Sequence, residues 1–147
     1  MPSVRFVHPP SLAAAPYAAA AVADPGRLVV TAGACPLDAD GNTVAVGDVA
    51  GQARQVMANL EAALEAAGAR LPDVVKTTVY VATTDRADLD TAWDVVVAAF
   101  GDHRPPSTLV GVTVLGYPDQ LVEVEALAVQ EEWQEPGPPE DAVTVPA

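Results

Sequence analysis

Two glutamates on a predicted β-strand are the residues of this chain best suited to acid–base chemistry. The segment 121–130, LVEVEALAVQ, has the alternation typical of a strand and carries Glu123 and Glu125. Successive strand side chains point to opposite faces, so the two carboxylates share one face, roughly 7 Å apart. The other face takes Val122, Val124, Ala126 and Ala128. Because burying unpaired charge is costly, the glutamate face is either in contact with water or part of a site.

Glu123 has a chemical interpretation and a structural one. In a cleft, its carboxylate could act as general base toward a water that attacks an sp² carbon, and then as acid toward the leaving nitrogen. Alternatively, it is a solvated residue on a wet sheet face. Glu125 is interpreted as a structural surface charge.

The other reactive side chains do not form a recognisable catalytic or metal motif. Ser107 lies near His103, but the chain has no Gly-x-Ser-x-Gly elbow, which argues against serine hydrolysis. His8 and His103 lack the spacing of metal ligands. Cys35 is interpreted as a buried, inert thiol.

Helical periodicity predicts two helices. Asp48 is a good N-cap for a helix over 48–67, and Gly68 is a natural stop. The apolar stripe of this helix consists of Val49, Ala53, Val56, Leu60, Leu64 and Ala67. The polar positions, which are expected to be exposed, are Gln52, Arg54, Gln55, Asn59, Glu61 and Glu65. Thr84 or Asp85 caps a second helix that ends at Gly101. The stripe of that helix is Leu89, Trp93, Val96 and Phe100.

Six extended segments complete the predicted order β-β-β-α-β-α-β-β. They are Val4 to His8, Pro16 to Ala23, Arg27 to Ala34, Val74 to Ala82, Thr108 to Leu115 and Leu121 to Gln130. The second and third flank Asp24-Pro25-Gly26, which predicts a hairpin. Two helices cover one sheet face only. The alternate set Val75, Thr77, Val79 and Val81 predicts a fairly apolar second face, which argues for a partner subunit.

Composition limits the class of protein. The 147 residues fit one domain over 1–130, followed by an acidic, Pro-rich tail over 131–147 that is expected to be flexible and contains Trp133. The net charge of −13 argues against a nucleic-acid partner. The single cysteine fits a reducing cytoplasm, and neither a signal peptide nor a membrane-spanning segment is expected.

Five segments, in order over roughly residues 14–130, resemble the YjgF/RidA family. Pro16-Tyr17 resembles its Gly-Pro-Tyr, and LVVTAGACPLDADG is similar to its strand ending in Ser-Gly-Gln-Ile-Pro. QARQVMANLEAALEAAGARLPDVVKTTVYV resembles its first helix and next strand. HRPPSTLVGV resembles its His-Arg-Pro-Ala-Arg-Ser-Thr segment, and LVEVEALAV its final strand.

The resemblance implies an α+β fold of the chorismate-mutase-like (bacillary) type. Its six-stranded, mostly antiparallel sheet would carry two helices on one face, and three subunits would form a homotrimeric barrel with a ligand cleft at each interface. The implied activity is hydrolysis of reactive enamines and imines, formed from amino acids, to 2-keto acids and ammonia, without metal or organic cofactor.

Family positions are carried over residue by residue. The glutamate that positions or activates water falls on Glu123, the cleft tyrosine on Tyr17 and the strand glycine on Gly33. Ala32 and Ala34 replace a serine and a glutamine. Ser107 replaces the arginine that binds a substrate carboxylate, and a hydroxyl cannot match the two charged donors of a guanidinium. Arg104 is the candidate substitute for that cation.

Three functional hypotheses follow. The first is a cytoplasmic homotrimeric enzyme that hydrolyses or tautomerises a reactive imine or enamine, with a substrate that lacks a carboxylate or binds it through backbone groups. The second is a non-catalytic small-molecule binder or sensor on the same scaffold, which the loss of the arginine, serine and glutamine would suit. The third, a ribonuclease, is opposed by the acidic charge. Tyr17 is interpreted either as a cleft residue or as a packing residue with its hydroxyl at a rim.

Overall fold

A computed structural model describes residues 4–130 and contains six strands and two helices. The strands are β1 (Val4–Val7), β2 (Ala20–Ala23), β3 (Arg27–Val30), β4 (Val74–Ala82), β5 (Ser107–Val112) and β6 (Val122–Gln130). The helices are α1 (Val49–Ala66) and α2 (Arg86–Phe100), and a short 3-10 turn covers Leu71–Asp73. Within residues 4–130, no helix is long and apolar enough to cross a membrane. The predicted tail and Trp133 lie outside these residues.

Both helices begin and end where their capping residues predict. The Asp48 carboxylate accepts a bond from the Gly51 amide at 3.0 Å, and Gly68 follows α1 with a φ of 82°. Asp85, not Thr84, caps α2 by accepting from the Ala87 amide at 2.9 Å. Gly101 ends α2 with a φ of 63°, a left-handed conformation that glycine adopts without steric cost.

The strands form two sheets, so the prediction of one six-stranded sheet is wrong. A four-stranded sheet has the order β3-β6-β4-β5, and β1 pairs with β2 in a separate two-stranded sheet. β6 is antiparallel to both β3 and β4, whereas β4 and β5 are parallel, with α2 as the connection between them. The fold is therefore α+β with mixed strand directions.

The predicted hairpin around Asp24-Pro25-Gly26 is also wrong. β2 and β3 follow each other in the chain but pair with different strands, β2 with β1 and β3 with β6. β4 pairs with only one edge of β6. Without β3, the backbone groups along the other edge of β6 would be left unpaired. Gly26 fits tightly there, since a Cβ at this position would lie 2.3 Å from the Gln130 carbonyl oxygen.

The core lies between the four-stranded sheet and the two helices. Leu60 and Leu64 of α1 and Val96 of α2 belong to one buried cluster with Val79 and Val124. Confirming the predicted alternation, the apolar face of β6 is buried there, and Glu123 and Glu125 lie on the open face that the helices do not cover.

The open face differs from the one predicted. Thr77, Val79 and Val81 are buried in β4 on the helix side, so the expected apolar second face of this strand is wrong. An irregularity between Val74 and Lys76 shifts the register, and Lys76, Thr78 and Tyr80 consequently share the open face with the glutamates. Apolar exposure comes from other strands, in Leu28 (62% exposed), Val30 (64%) and Leu127 (38%).

Candidate functional site

Glu123 is the only predicted catalytic residue, and two polar side chains hold one oxygen of its carboxylate. The Cys35 Sγ donates to Glu123 Oε1 at 3.2 Å, and the Gln120 Nε2 donates to the same oxygen at 3.2 Å. Cys35 also approaches the Gly33 carbonyl at 3.4 Å. The carboxylate is therefore oriented from two sides, while Oε2 is directed toward Gly33.

The thiol of Cys35 is held in its protonated form. Burial, the hydrogen bond to Glu123 and the negative charge of Glu123 together raise the pKa of Cys35 to about 11. At neutral pH the thiol is thus a donor to Glu123 and a poor nucleophile, as the interpretation of an inert thiol predicts. Cys35 is half-buried rather than fully buried, and the sequence does not predict its contact with the glutamate.

Gly33 leaves space that the carboxylate fills. A Cβ built at this position would lie 2.5 Å from both Cδ and Oε2 of Glu123, closer than real contacts allow. The backbone beside it runs along β6, where Ala34 and Val124 exchange two hydrogen bonds, at 2.8 and 3.2 Å. The structure thus brings Gly33 and Glu123 together, although they are 90 positions apart in the chain.

Glu125 is fixed by a neighbour on β4. The Tyr80 hydroxyl donates to Glu125 Oε1 at 2.7 Å. This bond, with smaller effects of burial and of the two glutamate charges, raises the pKa of Tyr80. Glu125 therefore has a structural partner on the neighbouring strand, whereas Glu123 is contacted by Cys35 and Gln120, which lie in two different loops.

Helix α1 anchors both of those loops through side chains that the sequence interpretation placed on its exposed side. Gln52 is fully buried, so its assignment as exposed is wrong: its Nε2 donates to the Asp119 carbonyl at 2.9 Å and its Oε1 accepts from the Leu121 amide at 2.7 Å. Asn59 Nδ2 donates to the carbonyls of Cys35 at 2.8 Å and Leu37 at 2.9 Å.

Sequence reasoning missed Gln52, Asn59 and Gln120 as supports of the site. A signal for Gln52 exists, because it lies three residues after Val49 and four before Val56 and thus on the apolar stripe. Gln120 gives no such signal, since its role depends on a turn that folds it back toward Glu123.

The remaining predicted site residues form a second group. The Tyr17 ring meets Trp93 edge-on, with centroids 5.9 Å apart, at a cavity of about 420 Å³ that Ser107 also borders. Ser107 Oγ accepts from Thr77 Oγ1 at 2.7 Å, on the buried side of the sheet. Arg104 lies in the adjoining recess, and its Nε donates to the Gly101 carbonyl at 2.7 Å.

The two groups do not meet within one chain. Ser107 pairs with Thr77 on one edge of β4, and Glu123 pairs with Tyr80 on the other. Strand spacing and rise then place the two Cα atoms roughly 14 Å apart. Their side chains also point to opposite faces. Over residues 4–130, no three His, Cys, Asp or Glu side chains are grouped so as to hold a metal ion.

Comparisons with known sequences agree on one family. A family model described as endoribonuclease L-PSP matches residues 9–130. A RutC family protein of Pyrococcus horikoshii is 39% identical over 116 residues, 79% of this chain and 88% of that protein. A 2-iminobutanoate/2-iminopropanoate deaminase of Salmonella typhimurium is 40% identical over 110 residues, 73% of this chain and 83% of that protein.

Solved structures give the same result. The Rid family protein YyfB of Yersinia pestis has a TM-score of 0.82 at 30% identity, covering 87% of this chain and 99% of that one. TdcF of E. coli, solved with bound serine, has a TM-score of 0.63 at 34% identity, covering 81% of this chain and 91% of that one.

Proposed function

This chain belongs to the endoribonuclease L-PSP family, which is the YjgF/RidA family, and from that membership we propose that it hydrolyses reactive imines or enamines in a cleft between subunits of a cytoplasmic homotrimer. The observation that carries the proposal is the environment of Glu123. A carboxylate with one oxygen held by two donors keeps its second oxygen in a defined direction for proton transfer.

The proposed step conserves atoms and charge. Glu123 takes a proton from water as the water oxygen bonds to the imine carbon, and it passes that proton to the imine nitrogen, which gives a neutral carbinolamine. Glu123 then takes the hydroxyl proton of the carbinolamine and gives it to the amine nitrogen, the C–N bond breaks, and a keto compound and ammonia leave. An enamine first gains a proton at carbon to become the imine. General acid–base catalysis of this kind is worth about 10²–10⁴-fold in rate.

The second wall of the proposed cleft comes from a neighbouring copy. Tyr17, Arg104 and Ser107 are too far from Glu123 within one chain but would face it from another subunit. The exposed apolar side chains of Leu28 and Val30 on the open sheet face support burial against such a copy.

The names of relatives support the reaction class. The Salmonella relative is a 2-iminobutanoate/2-iminopropanoate deaminase, whose substrates carry a carboxylate. In this chain Ser107 stands where the resemblance places the carboxylate-binding arginine, so activity on 2-imino acids should be weak. A ribonuclease, which the family's description names, is not proposed because a net charge of −13 repels a polyanion.

A matched pair of variants tests the proposal. Imines are generated in place by oxidising amines or amino acids, and ammonia release is followed with wild type, Glu123→Gln and Glu125→Gln. We expect Glu123→Gln to lose about 100-fold or more in kcat and Glu125→Gln to stay within about threefold. Equal activity of wild type and Glu123→Gln would refute the catalytic assignment.

The same protein preparation distinguishes an enzyme from a binder. Native mass spectrometry after exposure to an imine should detect converted product if the chain is a hydrolase. Ligand that stays bound and unchanged, with no ammonia released, would favour the alternative of a non-catalytic binder or sensor.

A further inference from the structure

We propose that the ligand of the Glu123 cleft is a cation, a protonated imine without a carboxylate. This inference rests on the proposed function, since it takes Glu123 to line the cleft. It adds the charge of the substrate, which follows from the placement of every basic residue in the chain. A homomeric cleft can contain no cation that the chain itself does not supply.

All seven lysine and arginine residues lie within residues 4–130. They are Arg5, Arg27, Arg54, Arg70, Lys76, Arg86 and Arg104. Arg54 borders a groove between the helices, Arg70 precedes the 3-10 turn and Arg86 begins α2. Arg54 and Arg86 belong to the helix layer, on the side of the sheet away from Glu123, and Arg70 belongs to the connection between α1 and β4.

The two basic residues of the four-stranded sheet are also distant from Glu123. Arg27 pairs with Gln130, seven residues along β6, which corresponds to roughly 23 Å. Lys76 pairs with Leu127, roughly 13 Å along the strand. Lys76 lines a cavity on the open face together with Glu125, and its Nζ donates to Thr108 Oγ1 at 2.7 Å, on β5.

Arg104 borders the same recess as the predicted cleft residues Tyr17 and Ser107, and Arg5 lies on β1, where it pairs with Val22 of β2. The Nε of Arg104 donates to the Gly101 carbonyl at the end of α2, where a cation is favoured by the helix dipole. To bind a carboxylate across the cleft, the guanidinium would have to leave this bond. Ser107, in the position of the lost arginine, is itself bonded to Thr77.

On the wall of the cleft that this sheet face supplies, the field at Glu123 is therefore negative. Glu125 adds a second carboxylate on the same face, two positions along the strand. A bound carboxylate would be repelled by both, whereas a protonated imine would be attracted. For charges about 4 Å apart near a protein surface, this difference corresponds to at least about 100-fold in affinity.

The cation also suits the chemistry. A protonated imine is more electrophilic at carbon than the neutral form, so water adds more readily as Glu123 takes its proton. The net reaction converts R₂C=NH₂⁺ and water into R₂C=O and NH₄⁺. Such ions arise by two-electron oxidation of primary amines, so an amine-oxidising reaction is the class that would supply this substrate.

Two isosteric probes test the charge preference directly. Benzamidine is a stable planar cation with the C=NH₂⁺ group, and benzoate is its anionic counterpart. Calorimetric titration of the full chain at low salt should give at least about 100-fold tighter binding of benzamidine. Added salt should weaken that binding, because screening acts on charge pairs near a surface.

Variants assign the preference to the cleft. Glu123→Gln should weaken benzamidine binding about tenfold or more, while Glu61→Gln, the same change at an exposed site on α1, should leave it unaltered. Thermal melting checks that both variants are folded. Benzoate binding as tight as benzamidine, or no binding of either at millimolar concentration, would overturn the inference. Benzoate binding that disappears in Arg104→Gln would instead make Arg104 the carboxylate anchor.

The two proposals can fail separately. Glu123-dependent benzamidine binding without hydrolysis of any imine would leave the charge preference standing and remove the catalytic function. Faster hydrolysis of imines from amino acids than of imines from amines would leave the catalytic function standing and refute the charge preference.

Discussion

Replacing Gln52 with methionine should destabilise the protein and disturb the site without touching any ligand. The glutamine is fully buried on α1 and bonds both sides of the turn that carries Gln120. Methionine has a similar size, so the packing volume is conserved and the loss is that of the side-chain hydrogen bonds, which include a longer one of 3.5 Å to the Ala45 carbonyl. The turn itself is conformationally costly, because Asp119 has a φ of 59°.

The magnitude depends on which backbone groups remain unpaired. Asp119 is exposed, so water can replace the amide at its carbonyl, whereas the Leu121 amide is less accessible. An unsatisfied buried donor costs about 1–3 kcal/mol, and release of the Asp119 turn adds to this. We expect a loss of about 2 kcal/mol in the free energy of unfolding, a large part of a typical 5–15 kcal/mol.

Urea denaturation followed by circular dichroism measures the effect, with an unchanged m-value as the sign that the comparison is valid. Gln55→Met is the matched control, since it makes the same chemical change on the same helix at a half-exposed residue whose Nε2 donates to Asn59 Oδ1. It should cost at most about 0.5 kcal/mol. Equal stability of the two variants would refute the role assigned to Gln52.

Further predictions concern the immediate neighbours of the glutamate. Gly33→Ala should lower kcat at least about tenfold with little loss of stability, because the new Cβ would displace the movable Glu123 carboxylate. Gly26→Ala should instead lower the melting temperature, because its Cβ would meet the Gln130 backbone. Activity of Gly33→Ala equal to wild type would contradict the packing described. Because the pKa of Cys35 rises from 9.0 to about 11, iodoacetamide at pH 8 should react about 100-fold more slowly than with an unperturbed thiol. The rate of the iodoacetamide reaction should increase up to pH 11, and Glu123→Gln should increase that rate at pH 8. A rate that levels off near pH 9 would contradict the raised pKa of Cys35.

Local rules predicted the elements but not all of their partners. The bounds of α1 follow from Asp48 and Gly68, and the shared face of Glu123 and Glu125 follows from strand alternation, since each depends on residues a few positions apart. Pairing depends on distant segments. The turn sequence at 24–26 favours a hairpin, yet the free edge of β6 takes β3.

The register of β4 shows the same limit. Its alternation was correctly predicted, but an irregularity at Val74 and Lys76 decides which set of side chains faces the helices. A shift of one residue exchanges the two faces of a strand. The polar character of the open face was therefore not predictable from β4 alone, although the glutamates of β6 already indicated it.

The site is built from contacts between segments that α1 holds together. Asn59 binds the carbonyls of Cys35 and Leu37, and Gln52 binds the turn that carries Gln120, so one helix determines the positions of both donors to Glu123. The geometry of the carboxylate is thus coupled to the packing of α1 on the sheet. A change that shifts this helix should alter proton transfer at Glu123 before it unfolds the chain, because hydrogen bonds tolerate less displacement than apolar contacts do.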